Sequence, residues 1–201
     1  MGMDDITGHL VLVMAPSGSG KGSLLAHARQ TFPELYFAVS CTTRLRRPGE
    51  RDGETYYFLS DVAFDEKVRA GEFLEWAAFG GARYGTLFSE IVEPLYAGKV
   101  VIGEVELQGI LALKEKIPAT HRTIVYVDAG AWDALERRIL ARAPIAPEHL
   151  ALRKERYRAE SQWKAFADIV IENRDGRLCE AQQAFQELLA GILARTDRTE
   201  V

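Results

Sequence analysis

Apolar residues in this chain fall into short unbroken runs, separated by longer stretches in which they recur every third or fourth position. The runs are Leu10–Met14, Val100–Val105, Thr123–Val127 and Ile169–Ile171, all rich in β-branched side chains. Continuity rather than alternation predicts strands of a parallel sheet covered on both faces. Between them, Ser23–Gln30, Ala131–Ala143, Pro147–Phe166 and Gly176–Ala194 predict helices. The third of these is long and highly charged. The last carries Ala181, Phe185, Leu188, Leu189 and Ile192 on one stripe. Strands alternating with helices predict an α/β fold around that sheet.

Residues 38–88 break the rhythm. Turn signals stand at Pro48-Gly49 and Asp52-Gly53, followed by a strand-like YYFL. Ser60 or Asp61 is placed to cap a helix that Gly71 ends. FLEWAAFGGARYG then predicts a hairpin. This stretch reads as a β-rich insert with a character of its own.

Composition narrows the function classes. With 201 residues, 47% of them hydrophobic, the chain suffices for one sizeable core and a small inserted subdomain. A net charge of −4 provides no overall basic field for nucleic acid or an anionic membrane. Positive charge is concentrated locally, around Arg44–Arg51 and Arg137–Arg158. Cys41 and Cys179 lie far apart with no metal-ligand spacing, as expected of reduced thiols. No apolar stretch approaches the roughly 20 residues of a membrane span. The opening MGMDDITGH is acidic and lacks an apolar signal core. A soluble, cytoplasmic protein is expected.

The first run breaks into a glycine-rich loop: LVLVM is followed by Ala15-Pro16-Ser17-Gly18-Ser19-Gly20-Lys21-Gly22 and Ser23. Such a loop turns several backbone N–H groups toward one anion, with a lysine for the outer phosphates and a helix N-terminus behind. Against the pattern G-x-x-x-x-G-K-[ST], Ala15 stands at the first glycine and Gly22 at the hydroxyl position, with Ser23 one residue later. ATP is the expected ligand. A glycine-rich strand-to-helix turn without ligand is the plainer alternative.

Ser40-Cys41-Thr42-Thr43-Arg44-Leu45-Arg46-Arg47-Pro48-Gly49-Glu50 is dense in anion binders. Arginine forks grip phosphate bidentately, so Arg44 and Arg47 are candidates to clamp a monophosphate. Taken alone, the segment reads as well as a solvated loop. Downstream, Glu75 stands in Leu74-Glu75-Trp76 and Tyr84 and Thr86 in Arg83-Tyr84-Gly85-Thr86. A carboxylate accepts two N–H bonds from one edge of guanine, and a Ser or Thr hydroxyl donates to its O6. That set suits guanine better than adenine.

With these motifs together, the chain resembles the guanylate kinases of the nucleoside monophosphate kinase group, over about residues 10 to 193. The motifs are A-P-S-G-S-G-K, S-x-T-T-R-x-x-R-P-G-E, G-E-F-L-E-W-A, R-Y-G-T, E-V-E-L-Q-G and F-A-D-I-V-I-E-N. The resemblance implies a three-layer phosphate-loop core from 1–39, 89–134 and 157–201, a GMP-binding insert at 40–88 and a helical lid at 135–156. It implies that ATP phosphates bind Ala15 through Ser23, above all Lys21. The GMP phosphate falls to Arg44, Arg47, Tyr56 and Tyr84, and guanine to Ser40, Glu75 and Thr86. Arg138, Arg142 and Arg153 close over the phosphates, with Lys21, Arg44, Arg142 and Arg153 acting on the transferred group. Asn173 falls near the adenine. Alone, the arginine-rich stretch would read as a charged helix face laced with i,i+4 pairs. Mg²⁺ is implied, held by ATP phosphates and water near Ser23 and Glu104. Hinges are expected near Val39–Ser40 and Phe88–Ser89.

The chain departs from the family pattern in two further places. Glu104 and Glu106 replace an Asp-x-Asp, so each carboxylate overreaches by more than about 1 Å, a displacement large enough to slow the reaction. Ala143-Pro144-Ile145-Ala146-Pro147 replaces a more polar turn and stiffens the lid. Slower turnover than in typical relatives is expected. Two alternatives stand beside the kinase reading: a guanylate-kinase-like module that binds rather than catalyses, and a related kinase acting on ribose 1,5-bisphosphate.

Overall fold

In a computed structural model of the chain, residues 6–104, 107–142 and 145–196 are described. In chain order the elements are β1 (His9–Met14), α1 (Lys21–Thr31), β2 (Tyr36–Phe37), β3 (Cys41–Thr42), β4 (Tyr57–Phe58) and α2 (Asp61–Arg69). There follow β5 (Phe73–Phe79), β6 (Ala82–Leu87), α3 (Phe88–Tyr96), β7 (Val100–Gly103), α4 (Leu107–Lys116) and β8 (Arg122–Asp128). The chain continues with α5 (Trp132–Arg142), α6 (Pro147–Glu160), β9 (Ile169–Glu172) and α7 (Leu178–Thr196). Each run read as a strand contains one, the run Val100–Val105 only as far as Gly103 with Val105 outside the described residues, and they are parallel where paired. The long charged helix is α6, which passes into a 3-10 stretch over Ser161–Phe166. The sequence reading did not anticipate α3, α4 or the two-residue strands β2 and β3.

The described residues divide into two compact units. The first holds those up to Leu12 and Leu35–Arg122; the second holds Val13–Glu34 and those from Thr123 on. The expected insert, 40–88, lies wholly in the first unit and the expected lid, 135–156, in the second.

In the first unit β2, β7 and β1 pair in parallel, with Leu10 facing Val101 and Phe37 facing Ile102. Leu10–Leu12 and Val100–Ile102 are buried. A second sheet has the order β4-β3-β6-β5. Its hairpin β5–β6 turns at Gly80 and Gly81, with φ of 59° and 78°, the left-handed pair that matches strand twist. Helix α2 starts where Ser60 Oγ accepts a hydrogen bond from Ala63 N (3.1 Å), and Gly71 follows its end at φ 68°. Phe64 stacks on Phe73 at 4.4 Å between centroids, in a core with Cys41 and Leu87.

In the second unit β8 and β9 pair in parallel, Val125 facing Ile169. Strand β9 lies at a sheet edge, so Ile169 and Val170 stay partly exposed rather than covered on both faces. Helix α1 packs on α7; Leu24, Leu25 and Ala28 of α1 and Ala181, Phe185, Leu189 and Ile192 of α7 are buried. Of the predicted stripe, only Leu188 stays half-buried. Trp132, Leu135 and Ile139 of α5 form a further core with Ala129. Among the described residues no helix is long and apolar enough to cross a membrane.

Candidate functional site

The second unit carries the glycine-rich loop. Gly18 and Gly20 sit at φ 87° and 90°, a backbone region open to glycine and costly for other residues. Ser19 N closes a turn on Pro16 O (3.1 Å), and Ser23 N bonds Gly20 O (3.0 Å) to start α1. Gly20 caps α1 with no side chain, and no acidic residue stands in the first turn. The helix therefore presents its positive end uncapped, as an anion site requires. Ser19 Oγ is buried and has no hydrogen-bond partner among the described residues, a buried polar atom awaiting a partner.

Three predicted residues converge on or near this loop. Arg153 of α6 donates to Ser17 Oγ (2.7 Å). Asn173, 3% exposed, donates its amide to Ser19 O (2.6 Å). Arg138 donates to Asn173 O (2.7 Å) and to Asp175 (2.8 Å). Asn173 thus stands beneath the loop backbone as a brace. Asp175, shared by Arg137 and Arg138, was missed by the sequence reading; both arginines hold its carboxyl below the usual carboxylate range. Arg142 lies in α5, and its side chain is outside the described part of the structure, as is the whole of Glu106.

The first unit gathers the other group. In the β5–β6 ladder Trp76 faces Gly85 and Glu75 faces Thr86, whereas Phe73 already faces Leu87. A bulge between Phe73 and Glu75 absorbs the extra residue and re-aims the strand. A Cβ on Gly85 would press on Phe73, on Trp76 and on the Glu75 carbonyl, so the close approach here needs glycine. On the other edge of β6, Cys41 faces Gly85, which sets Ser40 opposite Thr86. Ser40, Thr86 and Glu75 consequently form a row across the sheet. Ser40 Oγ is 3.3 Å from Thr86 Oγ1, which donates to Glu75 Oε1 at 3.0 Å. Thr86 is 2% exposed. The row is two hydroxyls and one carboxylate in line, a donor-plus-acceptor edge.

Tyr84 shares Thr86's face of β6 by strand period. Its ring lies 6.0 Å from that of Tyr56, and the Arg44 guanidinium stands 5.6 Å from the Tyr56 centroid. Arg44 is gripped bidentately by Glu50, at 2.9 and 2.7 Å, and Glu50 also accepts from Arg47 N (2.7 Å). Arg44 first, then the Arg47 amide, hold the Glu50 carboxyl down at about 2. Glu50 was not among the predicted site residues, although the Pro48-Gly49 turn that folds it back was visible. Arg83 was also missed; it ties β6 to Asp61 (2.8 Å) and Asp65 (2.5 Å) of α2.

Glu104 is exposed just past β7. At Gly103 a Cβ would press on Ile91 and Leu12, whose carbons would stand 3.2 and 3.3 Å away. Among the described residues no three His, Cys, Asp or Glu side chains stand together as a metal cage. Ser23, exposed in the first turn of α1 behind the glycine-rich loop, offers a hard oxygen atom. A single hydroxyl of this kind fits Mg²⁺ carried on phosphate and water rather than caged by protein.

The family model described as guanylate kinase matches residues 7–190. The chain belongs to the guanylate kinase family. A guanylate kinase of Streptomyces kasugaensis is 34% identical over 197 residues, spanning 98% of this chain and 93% of its own. One from a Nostoc species is 38% identical over 186 residues, 92% of each. The crystal structure of guanylate kinase from Anaplasma phagocytophilum superposes with a TM-score of 0.63 at 22% identity, covering 95% of this chain and 87% of that one. That likeness is one of fold, the phosphate-loop kinase fold read from the sequence. Within this guanylate kinase family chain, the loop and its arginines lie in one unit and the row Ser40–Thr86–Glu75 in the other.

Proposed function

We propose that this chain transfers the terminal phosphoryl group of ATP to GMP, giving ADP and GDP. The observation that carries the reading is the row Ser40–Thr86–Glu75. A carboxylate accepts from the N1–H and amino group of guanine while a hydroxyl donates to O6, a pattern adenine does not offer. Nothing in the structure favours the binding-module or ribose 1,5-bisphosphate alternatives.

In this reading Lys21 and the amides of Pro16 through Ser23 that carry hydrogen hold the ATP phosphates, and Ala15 ends the strand beneath them. Arg44, Arg47, Tyr56 and Tyr84 hold the GMP phosphate, with Glu50 keeping the Arg44 fork in place. Arg138, Arg142 and Arg153 neutralise charge as the phosphoryl group moves, and Asn173 braces the loop. Glu104 and Glu106 are assigned to the acceptor nucleotide. Mg²⁺ bound with ATP supplies charge neutralisation on the phosphate oxygens. Transfer of this kind is positioning and electrostatics. The acceptor oxygen is already ionised at neutral pH, so no general base is assigned. The proposed setting is the cytoplasm, a reading that the two free cysteines suit.

The test is ADP formation from ATP, Mg²⁺ and GMP, with AMP, UMP, CMP and ribose 1,5-bisphosphate as parallel acceptors. Selective use of GMP, lost in Lys21→Ala and in Glu75→Ala, is expected. Equal use of AMP would refute the guanine assignment.

A further inference from the structure

A buried carboxylate in the first unit has no part in the reading above. Glu90 stands in the first turn of α3 and is 7% exposed. Its Oε2 accepts from Val39 N at 2.8 Å and from the Tyr36 hydroxyl at 3.1 Å; its Oε1 accepts from the Tyr57 hydroxyl at 2.9 Å. Three donors from two stretches of chain, 36–39 and Tyr57, meet on one side chain. A buried carboxylate is tolerated only when donors satisfy it in this way, and a satisfied buried network is a rigid one.

Two of those contacts, to Val39 and to Tyr57, adjoin the guanine row. Val39 is the residue before Ser40. Tyr57 N donates to Ser40 O at 2.9 Å, so Tyr57 holds Ser40 by its backbone while Glu90 holds Tyr57 by its hydroxyl. Glu90 itself lies four residues after Thr86, across the start of α3. The 3.3 Å approach of Ser40 to Thr86 therefore joins two strands that Glu90 already fastens together from behind. The phenols respond to the same contact. Tyr57 is pushed up to about 12, first by its hydrogen bond to Glu90; Tyr36 is pushed up to about 12, first by burial and then by Glu90.

We propose that Glu90 is a positioning residue for guanine recognition, clamping the backbone on either side of Ser40 so that its hydroxyl and that of Thr86 stay in register. The proposal rests on the GMP reading above. Loss of the carboxylate lets the two strands drift apart by a fraction of an ångström, enough to spoil a constellation of this kind.

The test is GMP binding by calorimetry, with steady-state kinetics alongside, in wild type, Glu90→Ala and Glu90→Gln. Glu90→Ala is expected to weaken GMP binding and raise KM for GMP by about tenfold while KM for ATP stays put, and to lower the preference for GMP over AMP. Glu90→Gln is expected to recover most of this, because its oxygen accepts from Val39 and Tyr36 while its amide donates to the Tyr57 hydroxyl. Titration at 295 nm in Glu90→Ala is expected to move Tyr57 down toward 10, further than Tyr36. Should Glu90→Ala fail to fold, Tyr36→Phe/Tyr57→Phe removes two of the three donors and keeps the rings, and a several-fold loss of GMP affinity is expected there. GMP affinity unchanged in folded Glu90→Ala, or in the double variant where that one fails, overturns the Glu90 proposal alone. Wild type that binds no GMP overturns the function and this inference together.

Discussion

Asn173 donates its side-chain amide to the carbonyl of Ser19, 154 residues earlier, at 2.6 Å. The glycine-rich loop is thus pinned from below by the residue that follows β9. A Cβ on Gly20 would collide with that same amide. Removing the donor in Asn173→Ala leaves a carbonyl without its partner, at a cost of about 1–3 kcal/mol. Urea unfolding is expected to show that loss, and KM for ATP is expected to rise more than KM for GMP. An unchanged KM for ATP in folded Asn173→Ala would show that the loop holds its shape unaided.

Gly22 offers an opening for improvement. A Cβ at this position meets nothing within 4 Å, and its place in α1 makes glycine a poor helix former. Gly22→Ser is expected to gain about 0.5 kcal/mol of stability from propensity alone. It also puts a hydroxyl where the phosphate-loop pattern carries one. Thermal melts and KM for Mg-ATP check the two halves separately: a higher Tm with unchanged KM confines the gain to the helix.

Glu50 predicts a pH dependence with a definite sign. Its carboxyl lies at about 2 in the folded protein against an ordinary 4.5. A carboxyl lowered by folding contributes stability that is fully present above its unfolded value and is lost as pH falls through the folded one. The Arg44 clamp is therefore expected to hold at neutral pH and to weaken between about pH 4.5 and pH 2. Carboxyl NMR of the free protein is expected to show one glutamate titrating near 2, absent in Glu50→Gln. The same variant is expected to raise KM for GMP, because the Arg44 fork loses the carboxylate that orients it.

The Glu104 and Glu106 side chains predict a kinetic signature. Shortening them in Glu104→Asp/Glu106→Asp is expected to raise kcat, since each carboxylate retreats by one methylene, about 1 Å, and displacements on that scale carry large rate factors. Single-turnover rates are the appropriate measure. A rate equal to or below wild type would count against the overreach argument.

Much of the architecture was legible because it is encoded locally. Unbroken apolar runs announced β1, β7, β8 and β9. The cap at Ser60, the stop at Gly71 and the turn at Gly80-Gly81 were each visible as residue chemistry. Helices α3 and α4 escaped notice. The strands β2 and β3 also escaped, because two residues carry no period.

The candidate site was legible as a set of residues but not as an arrangement. Sequence chemistry alone selected a phosphate loop with Lys21, and a carboxylate with hydroxyls suited to guanine, since those choices depend on residue type and short spacing. Tertiary structure alone decided that Glu75 faces Thr86, because a bulge shifts the ladder register and no local pattern announces it. It decided too that Glu50 grips Arg44, that Asn173 braces Ser19 and that Glu90 collects Tyr36, Val39 and Tyr57. A sequence period records which face of an element is apolar. The partner of a buried polar group is chosen by packing among residues far apart in the chain, and that choice exists only once the chain has folded.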